Sequence, residues 1–226
     1  MSAELVRVGS ILADETRAGV LVALLDGRAR TGGELARYLG VAPSTVSEHL
    51  GRLLDSGFVR VDPQGRHRYW RLAGPGVAEL LETIGARAPA AVVPDPRAPA
   101  SLLVARSCYD HLAGALAVAI FDRFTIDGHV QAHGDGLELT TSGVEHLAAL
   151  GVDTGAVLAG RRQTVRACLD WTERSHHLAG AAGAALFDRF LVQGWLRKGT
   201  RPRQVKVTAA GQRAFALLCD WDGPRP

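Results

Sequence analysis

The residues best suited to chemistry in this chain are cysteines and histidines that recur in company. Cys108, Asp110 and His111 form one group, and Cys168, Asp170, His176 and His177 form a second, looser one. Thiolate, imidazole and carboxylate are all ligands for zinc or a softer ion. A thiolate beside an imidazole is also activated towards oxidants and electrophiles. The two groups therefore read as either a metal centre or a thiol sensor. Cys219, in Cys219-Asp220-Trp221, offers a third thiol. The spacing matches no established zinc signature, and plainer roles compete. Asp110 and Asp170 suit helix N-caps, Cys108 and Cys168 suit small buried positions, and His111 and His177 suit the core. A pocket for an organic effector, lined by Trp171, Phe187, Trp195 and Trp221, is a further alternative.

The elements that carry these residues are duplicated. Arg106 to Gly114 matches Arg166 to Asp170 followed, after an insertion, by His177 to Gly180; Phe121-Asp-Arg-Phe124 recurs as Phe187-Asp-Arg-Phe190. Gly128-His-Val130 answers to Gly194-Trp-Leu196, and Leu137 to Gly143 answers to Val205 to Gly211. Ordered matches of this kind signal internal duplication. Each copy, about residues 104–155 and 164–221, reads as an Ala-rich helix closed by Gly, two short strands, and a helix capped by Thr140 or Thr208. Helix, hairpin, helix is the back half of a winged unit, so two degenerate winged units about a pseudo-two-fold axis are expected. The Asp-Arg pairs inside the Phe motifs read as ion-pairing residues rather than catalytic ones. The hairpin from Trp195 to Lys206 carries Arg197, Lys198, Arg201, Arg203 and Lys206 with no acid, which reads as a solvated hairpin or an auxiliary DNA contact.

The first 84 residues have a different pattern. Thr31 can cap a short helix from Gly33 to Leu39, closed by Gly40; Ser44 can cap a second helix running to Ser56, with Pro43 just outside. Phe58 to Val61 and His67 to Leu72 alternate as the strands of a hairpin around Asp62 to Arg66. Two helices joined by a short turn are a helix-turn-helix, whose second helix enters the major groove. Val46, Leu50, Leu53 and Leu54 take the inward spacing on that helix. Ser44, Thr45, Ser47, Glu48, His49 and Arg52 are left for DNA, together with Thr31 and, on the hairpin, Arg66, His67 and Arg68. Arg60, Arg66, Arg68 and Arg71 face a single Asp62 there, a local charge suited to phosphates.

Ala13-Asp-Glu-Thr-Arg17, the run from Glu34 to Leu50, Gly57-Phe-Val59 and Gly65-Arg-His-Arg-Tyr69 resemble the ArsR/SmtB family of bacterial winged-helix repressors. The resemblance covers residues 5–84. It implies a homodimer made by the first and last helices of this unit, bound to an inverted-repeat operator in double-stranded DNA and released by a small effector or metal. Metal-sensing members often carry Cys on the first helix of the motif, or His and Asp on the last helix. Here Gly33 to Leu39 and Gly76 to Ile84 hold neither Cys nor His, so the effector site is expected in the C-terminal unit.

Composition agrees without deciding. The 226 residues are 47% hydrophobic and 22% charged, a globular balance, and the net charge of +3 alone announces no nucleic-acid partner. Of the basic residues, 24 are Arg and only Lys198 and Lys206 are Lys. The start has no basic-then-apolar leader, and the longest apolar stretches, Leu112 to Phe121 and Leu178 to Phe187, are too short to span a bilayer. A cytoplasmic protein with free thiols and no membrane partner follows. The sixteen residues from Gly85 to Ala100 hold four Pro and six Ala and read as a semi-rigid spacer. The expected class is α+β, mainly α. A winged helix-turn-helix domain (1–84) and the spacer (85–100) precede a duplicated sensor and dimerisation domain (101–226). The function expected is a sequence-specific, ligand- or redox-responsive repressor. A cysteine-dependent enzyme is set aside because the chain lacks a phosphate loop, a nucleophile turn or a cofactor fingerprint. A protein-recruitment module on the same scaffold is the remaining alternative.

Overall fold

A computed structural model describes residues 2–87, 100–134 and 136–223. The chain divides into two compact units at Leu81/Glu82. Most of the expected spacer lies outside the described residues, and its first three positions, 85–87, belong to a helix.

The first unit begins with α1 (Ser2–Leu12) and α2 (Glu15–Leu24), whose start is capped by the Asp14 side chain. Strand β1 (Arg30–Thr31) leads into α3 (Gly32–Leu39). Thr31 caps α3 and, with Glu34 reaching back, completes a capping box. Gly40 closes α3 at φ 69°, a left-handed turn that a side chain would resist. Helix α4 (Pro43–Asp55) follows, then β2 (Val59–Gln64) and β3 (His67–Leu72), paired in register from Val59–Leu72 to Gln64–His67. The sheet order is β1-β3-β2. Val20, Leu21, Leu24, Leu35, Val46, Leu50, Leu53 and Trp70 fill the core between α2, the α3–α4 pair and the sheet. This is a winged helix-turn-helix.

Two local expectations are corrected. Ala42, not Ser44, is the N-cap of α4, because Pro43 takes the first helical position, where its missing N–H costs nothing. Leu54 is 39% exposed rather than inward, so the apolar seam of α4 is Val46, Leu50 and Leu53. Helix α5 (Pro75–Arg87) then crosses the unit boundary.

The second unit opens with α6 (Ala100–Val104). A hairpin of β4 (Arg106–Cys108) and β5 (His111–Ala113), α7 (Ala115–Ile126), a hairpin of β6 (Val130–His133) and β7 (Gly136–Leu139), and α8 (Thr141–Ala149) come next. After α9 (Thr154–Ala159) the same order returns. It runs β8 (Arg166–Leu169), β9 (His176–Ala179), α10 (Gly180–Val192), β10 (Leu196–Lys198), β11 (Val205–Val207) and α11 (Ala209–Cys219). Each copy thus has a hairpin before its Ala-rich helix that the helix-hairpin-helix reading lacked. Thr140 and Thr208 cap α8 and α11 as expected.

The copies pack reciprocally, α7 against β9 and α10 against β5. Gly114 and Gly180 sit at matching junctions with φ of 95° and 86°. A Cβ at either would lie 2.8 Å from a backbone oxygen, so only glycine fits both the conformation and the space. The shared core holds the matching Phe124 and Phe190 with Leu116, Ala182, Phe187 and Phe215. The mixed α+β, mainly helical class agrees with expectation. Among the described residues, no helix is long and apolar enough to cross a membrane.

Candidate functional site

On the first unit, α4 presents Ser44, Ser47, Glu48 and Arg52 to solvent, with Thr45 half-buried. Arg52 donates to Glu48 at 2.7 Å along the helix. On the wing, Arg60, Arg66, His67 and Arg68 are exposed, while Arg71 is drawn to Asp62 at 2.9 Å. The polar helix face and the basic hairpin thus both stand in solvent. Two of the expected contact residues also have partners within the unit. The Thr31 hydroxyl donates to Glu34 at 2.9 Å within the capping box. The His49 ring lies mostly inside, its Nδ1 3.5 Å from Asp14 and 3.4 Å from Arg17. Arg17, itself buried, donates to the carbonyls of Ser10 and Ile11 at 2.7 Å. This Asp14–Arg17–His49 knot ties α4 to the start of α2, and nothing in the spacing of these residues announced it.

In the second unit, the two hairpins carry the Cys/His groups. Across β4–β5, Cys108 faces His111, and across β8–β9, Cys168 faces His177, so the two copies share one register. Tyr109, in the turn between Cys108 and His111, has φ 58°, a left-handed conformation costly for a bulky residue. The donor atoms of Cys108, His111, Cys168 and His177 all lie within 4.8 Å of one another, and all four residues are buried. The sulfurs are 3.9 Å apart, and His111 Nε2 is 3.2 Å from His177 Nε2.

Carboxylates stand behind both rings. His111 Nδ1 is 3.2 Å from Asp110, and His177 Nδ1 is 3.3 Å from Asp170, without the alignment of a hydrogen bond. Asp110 is paired with Arg162 at the half-exposed edge. Asp170 is wholly buried. It accepts from Arg106 at 2.6 Å, Gly114 N–H at 2.7 Å, and the Thr172 hydroxyl at 2.7 Å. Arg106, also fully buried, lies 4.9 Å above the Trp171 ring and donates to Thr172 and to the Leu102 carbonyl.

These contacts set the protonation of the centre. Burial alone raises the pKa of Asp170, but His177, Arg106 and the Gly114 N–H together hold it far below the usual carboxylate range. Burial raises that of Asp110 too, and its bonds to His111 and Arg162 outweigh this and bring it to about 2. Burial lowers His177, and Asp170 and the Cys168 sulfur more than reverse it. The Cys108 thiol and both rings push Cys168 well down, against burial, whereas burial pushes Cys108 up. One thiol of the pair is therefore the first to become thiolate.

The remaining residues fall elsewhere. Asp110 and Asp170 cap no helix, because the hairpins intervene and Gly114 and Ala179 take the cap positions. His176 is exposed, since strand alternation turns it away from its neighbour His177. Cys219 is apart from the four, donating to the Phe215 carbonyl at 3.3 Å with its pKa pushed up to about 12 by burial. Of the aromatic residues, Phe187 and Trp221 are part of the core, Trp195 packs against the same core and stacks on Phe190, and Trp171 lies under Arg106. Arg203 is buried with Glu82 and donates to the Ser107 carbonyl at 3.0 Å, so it is not part of a basic surface. Arg123 pairs with Asp127 and Asp220, and Arg189 donates to the Leu150 carbonyl. The partners Arg106 and Arg162 were missed. Only Arg106 had a signal, its place at the head of the first repeat.

Residues 14–61 match the family model described as "Bacterial regulatory protein, arsR family". With the winged helix-turn-helix and its exposed polar helix, the class is a DNA-binding transcriptional regulator. The chain is 36% identical to the uncharacterized HTH-type transcriptional regulator YdfF of Bacillus subtilis (strain 168), over 95% of this chain and 96% of that one. It is also 44% identical to the HTH-type transcriptional regulator CmtR of Mycobacterium tuberculosis (strain ATCC 25618 / H37Rv), over 34% of this chain and 64% of CmtR. Among solved structures, the NMR structure of the cadmium metal-sensor CMTR from Mycobacterium tuberculosis is 36% identical, covering 42% of this chain and 94% of that one with a TM-score of 0.32. The chain belongs to the ArsR family of helix-turn-helix transcriptional regulators, and with that the enzyme reading falls.

Proposed function

We propose that the protein is a homodimeric repressor that reads an inverted-repeat operator in double-stranded DNA and releases it when the C-terminal unit binds its effector or is oxidised. The observation that carries this reading is the meeting of both copies of the duplicated Cys/His motif in one buried centre. Duplicated elements that bring their polar residues to a single point make a site neither half can form alone. In this reading residues 1–84 are the DNA reader, the stretch between α5 and α6 the spacer, and 101–226 two degenerate winged repeats serving as sensor. The reciprocal packing of α7 on β9 and α10 on β5 supports a pseudo-two-fold arrangement.

Ser44, Thr45, Ser47, Glu48 and Arg52 reach base edges, and Arg66, His67 and Arg68 hold phosphates. Leu5 and Val6 on α1, and Leu80 and Ile84 on α5, are exposed apolar side chains on the helices that would form the dimer. A change at the centre alters the separation of the two recognition helices, which must match half-sites about one DNA turn apart. The coupling needed is only ~1–3 kcal/mol. Selection of bound fragments from genomic DNA by the full-length protein, followed by footprinting, tests the reading. Two symmetric protected half-sites support it. Binding without sequence preference overturns it.

A further inference from the structure

We infer that Cys108, His111, Cys168 and His177 hold one divalent, thiophilic metal ion in tetrahedral coordination, each repeat giving one cysteine and one histidine. This names the ligand of the centre in the proposed function, and rests on that reading only for the effect on DNA.

The distances carry the inference. Zinc binds sulfur at about 2.3 Å and imidazole nitrogen at about 2.0–2.1 Å, so a tetrahedron has edges near ~3.8 Å between sulfurs and ~3.3–3.4 Å between nitrogens. The observed separations are 3.9 Å for the sulfurs and 3.2 Å for the Nε2 atoms. Two opposite edges of such a site are thus already set, and all four donors lie within 4.8 Å of one another, so a small inward shift completes it. Both rings present Nε2 to the centre and turn Nδ1 towards a carboxylate, the outer arrangement that fixes the tautomer and orientation of metal-bound histidine.

With an Nδ1–H turned to each carboxylate, both Nε2 atoms are acceptors and no proton is left to join them. Two Nε2 atoms face each other, and the buried His177 Nδ1 has no aligned hydrogen-bond partner. Charge agrees as well. Two thiolates and two neutral imidazoles around a divalent cation sum to zero, which suits a buried site where a net charge is expensive. Asp170 and Asp110 are already balanced by Arg106 and Arg162. A simple disulfide switch accounts for the sulfurs but not for two histidines converging on them.

The test uses the full-length protein, reduced, stripped with chelator and titrated with Co(II), then Zn(II). Expected are one equivalent of Co(II) per chain, intense visible bands of a tetrahedral ion, near-ultraviolet thiolate-to-cobalt charge transfer, and displacement by one equivalent of Zn(II). Cys168→Ser roughly halves the charge-transfer intensity, one of two thiolates being lost. Cys219→Ser changes nothing. Asp170→Asn weakens Zn(II) binding by about 10–100-fold. A weak octahedral spectrum, a stoichiometry other than one, or Cys108→Ser/Cys168→Ser binding like the parent overturns the inference. If the cysteine variants lose their far-ultraviolet circular dichroism, the parent spectrum alone decides. Stoichiometric Zn(II) that leaves operator affinity unchanged keeps the metal site and removes the sensor reading.

Discussion

Replacing Asp170 by asparagine takes the counter-charge from a guanidinium that has no access to water. Arg106 and Asp170 are both fully buried, and their contact is 2.6 Å. The carboxylate also accepts from the Gly114, Thr172 and Glu173 N–H groups and from the Thr172 hydroxyl, so an amide in its place turns a donor towards other donors. Breaking a buried pair from one side costs about 3–5 kcal/mol. At about 2–4 °C per kcal/mol for a protein of this size, the melting temperature falls by roughly 6–20 °C. Asp110→Asn is the internal comparison. Asp110 and its partner Arg162 are both reached by water, so losing that pair and the bond to His111 costs about 1–2 kcal/mol, and the shift is about 2–8 °C. The assay is the thermal melt of chelator-treated protein followed by tryptophan fluorescence, since Trp171, Trp195 and Trp221 all lie in the second unit. The double variant Arg106→Met/Asp170→Leu, which removes both charges, is expected to melt above Asp170→Asn alone. Equal shifts for the two aspartates would refute the asymmetry described for the centre.

Removing both wing arginines, Arg66→Ala/Arg68→Ala, should weaken DNA binding evenly across sequences and reduce the salt slope by about 2, near 0.9 for each phosphate lost; an unchanged slope places them off the backbone. His49→Ala should cost about 1 kcal/mol of stability, through the Asp14–Arg17 knot, while leaving the preferred operator sequence as it was. A changed preference would make His49 a base-reading residue. Glu34 has its pKa lowered chiefly by the Thr31 N–H, so its contribution is complete above the unfolded value of about 4.3 and fades as pH falls through the lower folded value. Glu34→Gln should therefore melt below the parent near neutrality, the gap closing as pH falls through the folded value; a gap that persists in strong acid contradicts a contribution from the Glu34 charge.

Much of the first unit was legible because its signals are local. Thr31 with Glu34, and Gly40 after Leu39, fix α3 within eight residues. The miss at α4 had an equally local cause, with Pro43 occupying the first turn before Ser44 could cap it. The duplication told which residues of the second unit are equivalent, and a pseudo-two-fold axis would let the two sets converge, but which atoms meet was not legible. Cys108 and Cys168 are separated by sixty positions and come together only through tertiary packing. A separation of sixty-four positions hid the Arg106–Asp170 pair, and the reading of Asp170 as a cap failed because the β8–β9 hairpin stands where a helix start was expected. Between His176 and His177, strand alternation decides which ring faces inward, and that needs the strand itself.

The central claim is that occupancy of the Cys/His centre governs operator binding. Fluorescence anisotropy of the labelled operator with the full-length protein, chelator-treated and then with one equivalent of Zn(II), tests it directly. The account expects affinity to fall by about 5–150-fold with the ion, and the change to vanish in Cys108→Ser/Cys168→Ser. Identical affinity with and without bound zinc would contradict it.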